Sequence, residues 1–296
     1  MAPNDSPPSA ARVAAITVSY GSVEVLPGLL ASIPAASTSP ILAVVADNKA
    51  QDADNALAVS KSFGAQYVPL PRNVGYGSAI NAAAKGLPAS IEWILVVNPD
   101  VVLGVGSVDV LVATLAGDST IAAVGPLTTT SAGDVYPSAR SVPSLRTGVG
   151  HALFVNLWVG NPWTRAYRND TQSEPVRRDA GWLSGACVLV RRSAFDKIGG
   201  FDEGYFMYFE DVDLGYRLGK AGYRNVYEPD ATAIHTGAHS TSSESSQMSS
   251  ISAHHDSARR FLNRKYRGWW LWPVRVSLTV GLQLRSALVR RRVNRQ

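Results

Sequence analysis

One cysteine in 296 residues, Cys187, excludes an intramolecular disulfide framework and a zinc site built from several cysteines, and it suits a reducing compartment. It lies in an apolar run and reads as core filler. No apolar stretch is long enough to span a bilayer, since residues 274–289 are interrupted by Arg275 and Arg285. Residues 1–12 lack a basic start followed by an apolar run, so they read as a flexible lead-in and not a secretory signal. The dinucleotide fingerprint lacks its third glycine: after Gly75 and Gly77, position 80 is Ile80, which argues against a Rossmann dehydrogenase. No internal repeat is visible, and no acidic residue follows Asp256.

That last absence gives the net charge of +5 its meaning. Residues 257–296 hold 11 of the 28 Lys and Arg, which leaves 17 basic against 23 acidic residues before them, a net of −6. An acidic body therefore carries a basic tail. With 46% hydrophobic residues the body can bury a full core.

Residues 13–19, 41–46, 67–70, 93–97 and 122–125 read as buried strands, and residues 23–33, 52–62 and 78–85 as helices, with Asp52 a candidate cap. Strands alternating with helices predict a mostly parallel sheet covered on both faces, with ligands beyond the carboxyl ends of the strands. Residues 128–180, which include Pro137, Pro143, Pro162 and Pro175, read as a long irregular excursion of the kind that serves a binding surface. Strand character returns over 181–191, 225–227 and 231–234, a helix covers 212–220, and the Ser-rich residues 240–252 read as a mobile loop.

Polar residues cluster where such strands end: Thr17, Ser19 and Tyr20; Asp47 and Asn48; Asn73, Gly75, Tyr76 and Gly77 leading to Asn81; then Asn98-Pro99-Asp100. Asp47 suits a hydrogen bond to a base or ribose, and Gly75 and Gly77 would let backbone approach a ligand. Each signal alone also fits a turn. The sharpest pattern is Gly199-Gly200-Phe201-Asp202-Glu203 followed by Tyr205-Phe206-Met207-Tyr208-Phe209-Glu210-Asp211-Val212-Asp213. Acids at a helix start offset its dipole, which explains one or two of them. The aromatic wall before them could cover a sugar face and dehydrate a carboxylate.

These ordered motifs resemble the family 2 glycosyltransferases. The resemblance implies a GT-A fold, an α/β architecture with a mostly parallel Rossmann-like sheet flanked by helices, over residues 13–256. Residues 13–127 would hold the nucleotide sugar and residues 128–256 the acceptor. It implies Asp211 as catalytic base, Glu210 orienting the acceptor or the base, and Asp213 as structural. Thr17, Ser19, Tyr20, Asp47, Asn48, Asn73, Gly75, Gly77, Asn81, Asn98 and Asp100 would line the nucleotide-sugar site, and Trp182, Ser184 and Gly185 the acceptor pocket. Asn98 stands where the family carries the first aspartate of its metal motif. Asp100 and His235, with His239 an alternative, are the expected ligands of a divalent metal, Mg²⁺ or Mn²⁺. Segments 135–140, 161–164, 181–185 and 206–222 are similar to a branch of rhamnosyltransferases in that family. That likeness implies dTDP-L-rhamnose as donor and a polyprenyl-diphosphate-linked N-acetylglucosamine as acceptor, in cell-wall linker assembly.

The tail fits such an acceptor. Trp269, Trp270 and Trp272 precede an arginine-rich, amphipathic helical segment, a composition suited to an anionic membrane surface at the cytoplasmic leaflet. The acidic body and the aliphatic company of the tail's aromatics argue against nucleic acid. Two other readings stay open: another nucleotide sugar or lipid-linked acceptor, as in O-antigen or galactan assembly, and a non-catalytic nucleotide-sugar-binding scaffold.

Overall fold

The computed structural model describes residues 11–49, 53–144, 175–237, 244–273 and 276. Asp52, Pro162, His239 and the basic run 290–292 lie outside the described residues.

Strand β1 (Val13–Ser19) is buried along its whole length, as expected of a central parallel strand. Its side chains alternate. Ala14, Ile16 and Val18 join one core with Ala79, Ile80 and Ala83, whereas Val13 and Ala15 join another with Leu29, Leu30 and Leu111. Helix α3 (Tyr76–Lys85) thus covers one face of the sheet, and α1 (Leu26–Ala36) and α4 (Ser107–Gly117) the other. Strands β2 (Ile41–Asp47), β3 (Gln66–Pro69) and β4 (Trp93–Val97) run parallel to β1, with α2 (Ala53–Ser62) between β2 and β3.

The remaining strands are β5 (Val101–Leu103), β6 (Ile121–Thr130), β7 (Val135–Tyr136), β8 (Ala139–Arg140), β9 (Arg178–Ala180), β10 (Trp182–Leu183), β11 (Cys187–Arg191) and β12 (Arg224–His235). The main sheet runs β3-β2-β1-β4-β11-β6-β12-β5. Strand β11 is antiparallel to both β4 and β6, β12 is parallel to β6, and β5 is antiparallel to β12.

Several expectations change. Residues 181–191 are not one strand: β10 pairs with β8 in a small separate sheet, and the loop 184–186 turns the chain into β11. Residues 225–227 and 231–234 belong to one strand, interrupted by a register shift between Glu228 and Thr232. Strand β5 is too short for a periodicity to register. The Ser-rich stretch is helical from residue 244 onward, because its continuation has a body to pack on.

That continuation is α7 (Glu244–Lys265), which crosses the boundary the sequence sets at residue 256. Phe261 and Ala258 are buried, and Phe261 packs with Tyr205, Val212, Phe209 and Tyr216. Two other helices complete the body, α5 (Arg192–Lys197) and α6 (Glu210–Lys220). Ion pairs tie α7 to it: Arg260 meets Asp202 at 2.8 Å, and Arg264 bridges Asp202 and the fully buried Asp213, which also pairs with Arg217. Asp213 therefore holds helices together, in keeping with the structural role expected of it. Beyond α7, Trp269 and Trp270 are exposed to 84% and 66%.

Truncating Phe261 removes a fully buried ring. Phe261→Ala is expected to cost about 3–5 kcal/mol, and Trp270→Ala within about 0.5 kcal/mol of nothing, as read by urea denaturation. Equal stability of the two variants would show that α7 does not dock on the body.

Candidate active site

Helix α6 begins with Glu210, and the two residues before it, Tyr208 and Phe209, both take left-handed backbone conformations at φ 67° and 66°. For non-glycine residues this costs about 1–2 kcal/mol each. Neighbours on both sides hold the turn. On one side Tyr76 donates its backbone N–H to the Phe206 carbonyl at 3.1 Å. On the other, Ser257 of α7 donates to the Met207 carbonyl at 2.9 Å, and the His254 ring meets the rings of Tyr208 and Phe209 edge-on at 5.6 and 5.3 Å.

The strained turn delivers two carboxylates with different surroundings. Asp211 keeps partial exposure and accepts two backbone hydrogen bonds, from Gly185 at 3.0 Å and Val212 at 2.8 Å. Glu210 is buried, and its Oε2 has no hydrogen-bond partner among the described residues. Burial, then the neighbouring Asp211 charge, pushes the Glu210 carboxyl well above the ordinary carboxylate range. Burial also raises Asp211, but the Gly185 and Val212 N–H donors oppose it. Both carboxyls are raised, and Asp211 is the one whose charged form two backbone donors favour.

A second polar cluster forms where β5 meets β12. His235 pairs with Val101 in the ladder, which sets the preceding Asp100 beside it: Asp100 Oδ1 lies 3.2 Å from His235 Nε2, and Asn98 Nδ2 lies 3.5 Å from the same nitrogen. Burial raises the Asp100 carboxyl, but His235 and backbone N–H groups outweigh it and hold Asp100 below the ordinary range. An oxygen and an imidazole nitrogen converging at this distance suit a hard divalent cation. Among the described residues no three His, Cys, Asp or Glu side chains gather to hold a metal alone. The pair fits an ion that takes its other ligands from a diphosphate or water.

The two clusters meet at Tyr76, named in the Asn73–Gly77 motif but given no role by sequence. Burial first, and then the fields of Glu210, Asp211, Cys187 and Asp100, drive its phenol well above its ordinary pKa. Only a helix start, a glycine-rich loop and two strand ends brought together could reveal that convergence. The glycosyltransferase like family 2 model matches residues 8–253.

The chain belongs to this family.

This glycosyltransferase is 44% identical over 283 residues to the N-acetylglucosaminyl-diphospho-decaprenol L-rhamnosyltransferase of Mycobacterium tuberculosis, covering 93% of this chain and 91% of the relative. It is 31% identical to the rhamnosyltransferase WbbL of Escherichia coli over 197 residues, 64% of this chain and 71% of WbbL. Among solved structures, the mannosyltransferase PcManGT of Pyrobaculum calidifontis, in complex with GDP-Man and Mn²⁺, superposes with a TM-score of 0.58 at 15% identity. That superposition covers 92% of this chain and 70% of that one and shows a shared GT-A fold.

Several residues assigned to ligands by sequence serve the glycosyltransferase's own backbone. A Cβ on Gly75 would come within 2.4 Å of the Phe206 carbonyl oxygen, and one on Gly77 within 2.8 Å of Phe201 Cβ, so these glycines admit the close approach of Phe206 and Phe201. Asn81 clamps Phe201, accepting from its N–H and donating to its carbonyl, both at 2.9 Å. Asn48 donates to the Gly75 carbonyl at 3.1 Å, and Asn73 accepts from the Gly75 N–H at 3.0 Å. Trp182 donates its indole N–H to the Ser141 carbonyl and packs against Gly215 of α6, whereas the Ser184 hydroxyl accepts from Ala186 N–H. Of the aromatic wall, Tyr205 is fully buried, and Phe206 is half exposed. Thr17 and Ser19 at the end of β1 carry hydroxyls with no hydrogen-bond partner among the described residues, Tyr20 is exposed, and buried Asp47 accepts from Tyr67 and from Lys49 N–H.

The Glu210 carboxyl binds a proton more tightly in the folded than in the unfolded chain. Its contribution to stability is present below its ordinary pKa and is lost as pH rises from the ordinary carboxylate range into the neutral range. Glu210→Gln is therefore expected to flatten the fall in Tm between pH 5 and pH 8, the variant gaining on the parent at the upper end. An unchanged Tm difference across that range would show that Glu210 is ionised throughout.

Proposed function

We propose that this glycosyltransferase moves L-rhamnose from dTDP-L-rhamnose to N-acetylglucosaminyl-diphospho-polyprenol, with inversion at the anomeric carbon. The end-to-end 44% identity to the mycobacterial rhamnosyltransferase carries the substrate reading. The partly exposed Asp211, whose carboxylate accepts from two backbone donors at the start of α6, carries the chemical one.

In this mechanism Asp211 takes the proton of the acceptor hydroxyl as its oxygen forms the new bond to the anomeric carbon and the bond to dTDP breaks. One displacement inverts configuration. Glu210, whose carboxyl is raised by burial, orients the acceptor or the base. Asp100 and His235 would hold Mg²⁺ or Mn²⁺, which supplies counter-charge for the departing diphosphate. Thr17, Ser19, Tyr20 and Asp47 border the nucleoside, with Asn98 and Asp100 towards the diphosphate. Half-exposed Phe206 offers an apolar face to the methyl group of a 6-deoxy sugar.

A lipid-linked acceptor brings the reaction to a membrane. No helix among the described residues is long and apolar enough to cross one. Exposed Trp269, Trp270 and Trp272 and the seven basic residues that follow α7 suit peripheral attachment to the anionic cytoplasmic leaflet.

A donor panel against a short-chain polyprenyl-diphospho-N-acetylglucosamine tests the proposal. With divalent metal, dTDP-L-rhamnose is expected to give an α-linked disaccharide by mass spectrometry and anomeric NMR coupling, UDP-glucose and UDP-galactose little, and excess EDTA none. Preference for a UDP-hexose would overturn the sugar, a β product the single displacement, and full activity in EDTA on metal-free protein the metal requirement.

A further inference from the structure

We infer that Tyr76 is a positioning residue for Asp211, its hydroxyl fixing the Gly185 loop whose N–H holds the Asp211 carboxylate. The inference rests on Asp211 being the base.

The path is short and each bond has normal geometry. The Tyr76 hydroxyl donates to the Gly185 carbonyl at 2.8 Å, and the Gly185 N–H donates to Asp211 Oδ2 at 3.0 Å. Glycine has no side chain to fix its orientation, so its hydrogen bonds set which way its N–H points. The neighbouring residues of the loop are anchored independently: Ser184 N–H donates to the Ser138 carbonyl at 2.7 Å, and the Ala186 carbonyl accepts from Asn98 N–H at 2.9 Å. Gly185 between them is anchored by Tyr76. The backbone N–H of the same Tyr76 holds the Phe206 carbonyl, at the root of the turn that carries Asp211. One residue thus ties the Asn73–Gly77 loop, the loop 184–186 and the catalytic turn into one geometry.

The side chain's own position argues against simple core filling. The ring belongs to the edge of the core formed around Ile80 and Phe201, where phenylalanine would serve as well. The hydroxyl points instead at a backbone carbonyl within the field of Glu210, Asp211, Cys187 and Asp100, the titratable groups that surround it. A partly buried hydroxyl with one protein acceptor loses that bond if the loop moves.

Tyr76→Phe keeps the ring and the bond to Phe206 and removes only the contact with Gly185. In the full chain, assayed with donor and short-chain acceptor, kcat is expected to fall roughly tenfold, as loosened placement of a reacting group does, with the donor KM unchanged. Asp211 must be ionised to act, and a weaker Gly185 bond raises its pKa. The acidic limb of kcat/KM should therefore move to higher pH, by about half a unit or more. If Tyr76→Phe fails to fold, 3-fluorotyrosine at position 76, a stronger hydrogen-bond donor, should move the same limb to lower pH. A wild-type kcat and pH profile, or a loss confined to donor KM, would overturn the inference. Asp211→Asn separates it from the reading beneath: an inactive Asp211→Asn with an unaltered Tyr76→Phe removes only the role of Tyr76, and an active Asp211→Asn removes both.

Discussion

The geometry of the candidate site depends on a backbone that its own residues disfavour. Tyr208 and Phe209 in succession adopt left-handed conformations, and without external support the turn would relax and carry the start of α6 with it. Support comes from two places far apart in sequence, Tyr76 of α3 and the helix α7. Phe201, Asn81 and Gly77 interlock behind the turn, and the Asp202, Asp213, Arg217, Arg260 and Arg264 charges lock α7 against α6. Much of the buried polar apparatus of this glycosyltransferase serves that one turn, and the C-terminal helix belongs to it as firmly as the sheet does.

The second constraint is the placement of β11. An antiparallel strand between β4 and β6 brings the loop 184–186 beside Asn98, so Gly185, which holds Asp211, and the Asn98–Asp100 turn share one end of the sheet. A purely parallel continuation would have directed that loop to the opposite end of the strands. The β5–β12 pairing then adds His235 to Asp100. The two carboxylates differ through the same arrangement, because Asp211 reaches the backbone donors of Gly185 and Val212 whereas Glu210 Oε2 has no partner among the described residues.

The strands β1, β2 and β4 were legible because strands buried on both faces read as continuous apolar runs. The acids of α6 were legible as a helix start after an aromatic cluster. Gly75 and Gly77 have a backbone role that sequence did not show: a glycine reports that something comes close, and here Phe206 and Phe201 do. Asn48, Asn73 and Asn81 likewise bond to backbone, a partner their sequence positions did not reveal.

Sequence by itself determined the α/β class, the order of the motifs, the acidic body with its basic, tryptophan-bearing tail, and the family resemblance. All of these are local or additive properties, readable from neighbouring residues and from counts. Tertiary structure decided which polar groups face each other: Asp100 with His235, Gly185 with Asp211, Tyr76 with Gly185, and α7 with the strained turn. Those contacts join residues far apart in the chain through strand register and helix docking, and a register or a docking angle is set by the packing of the whole core, which no short stretch of sequence contains.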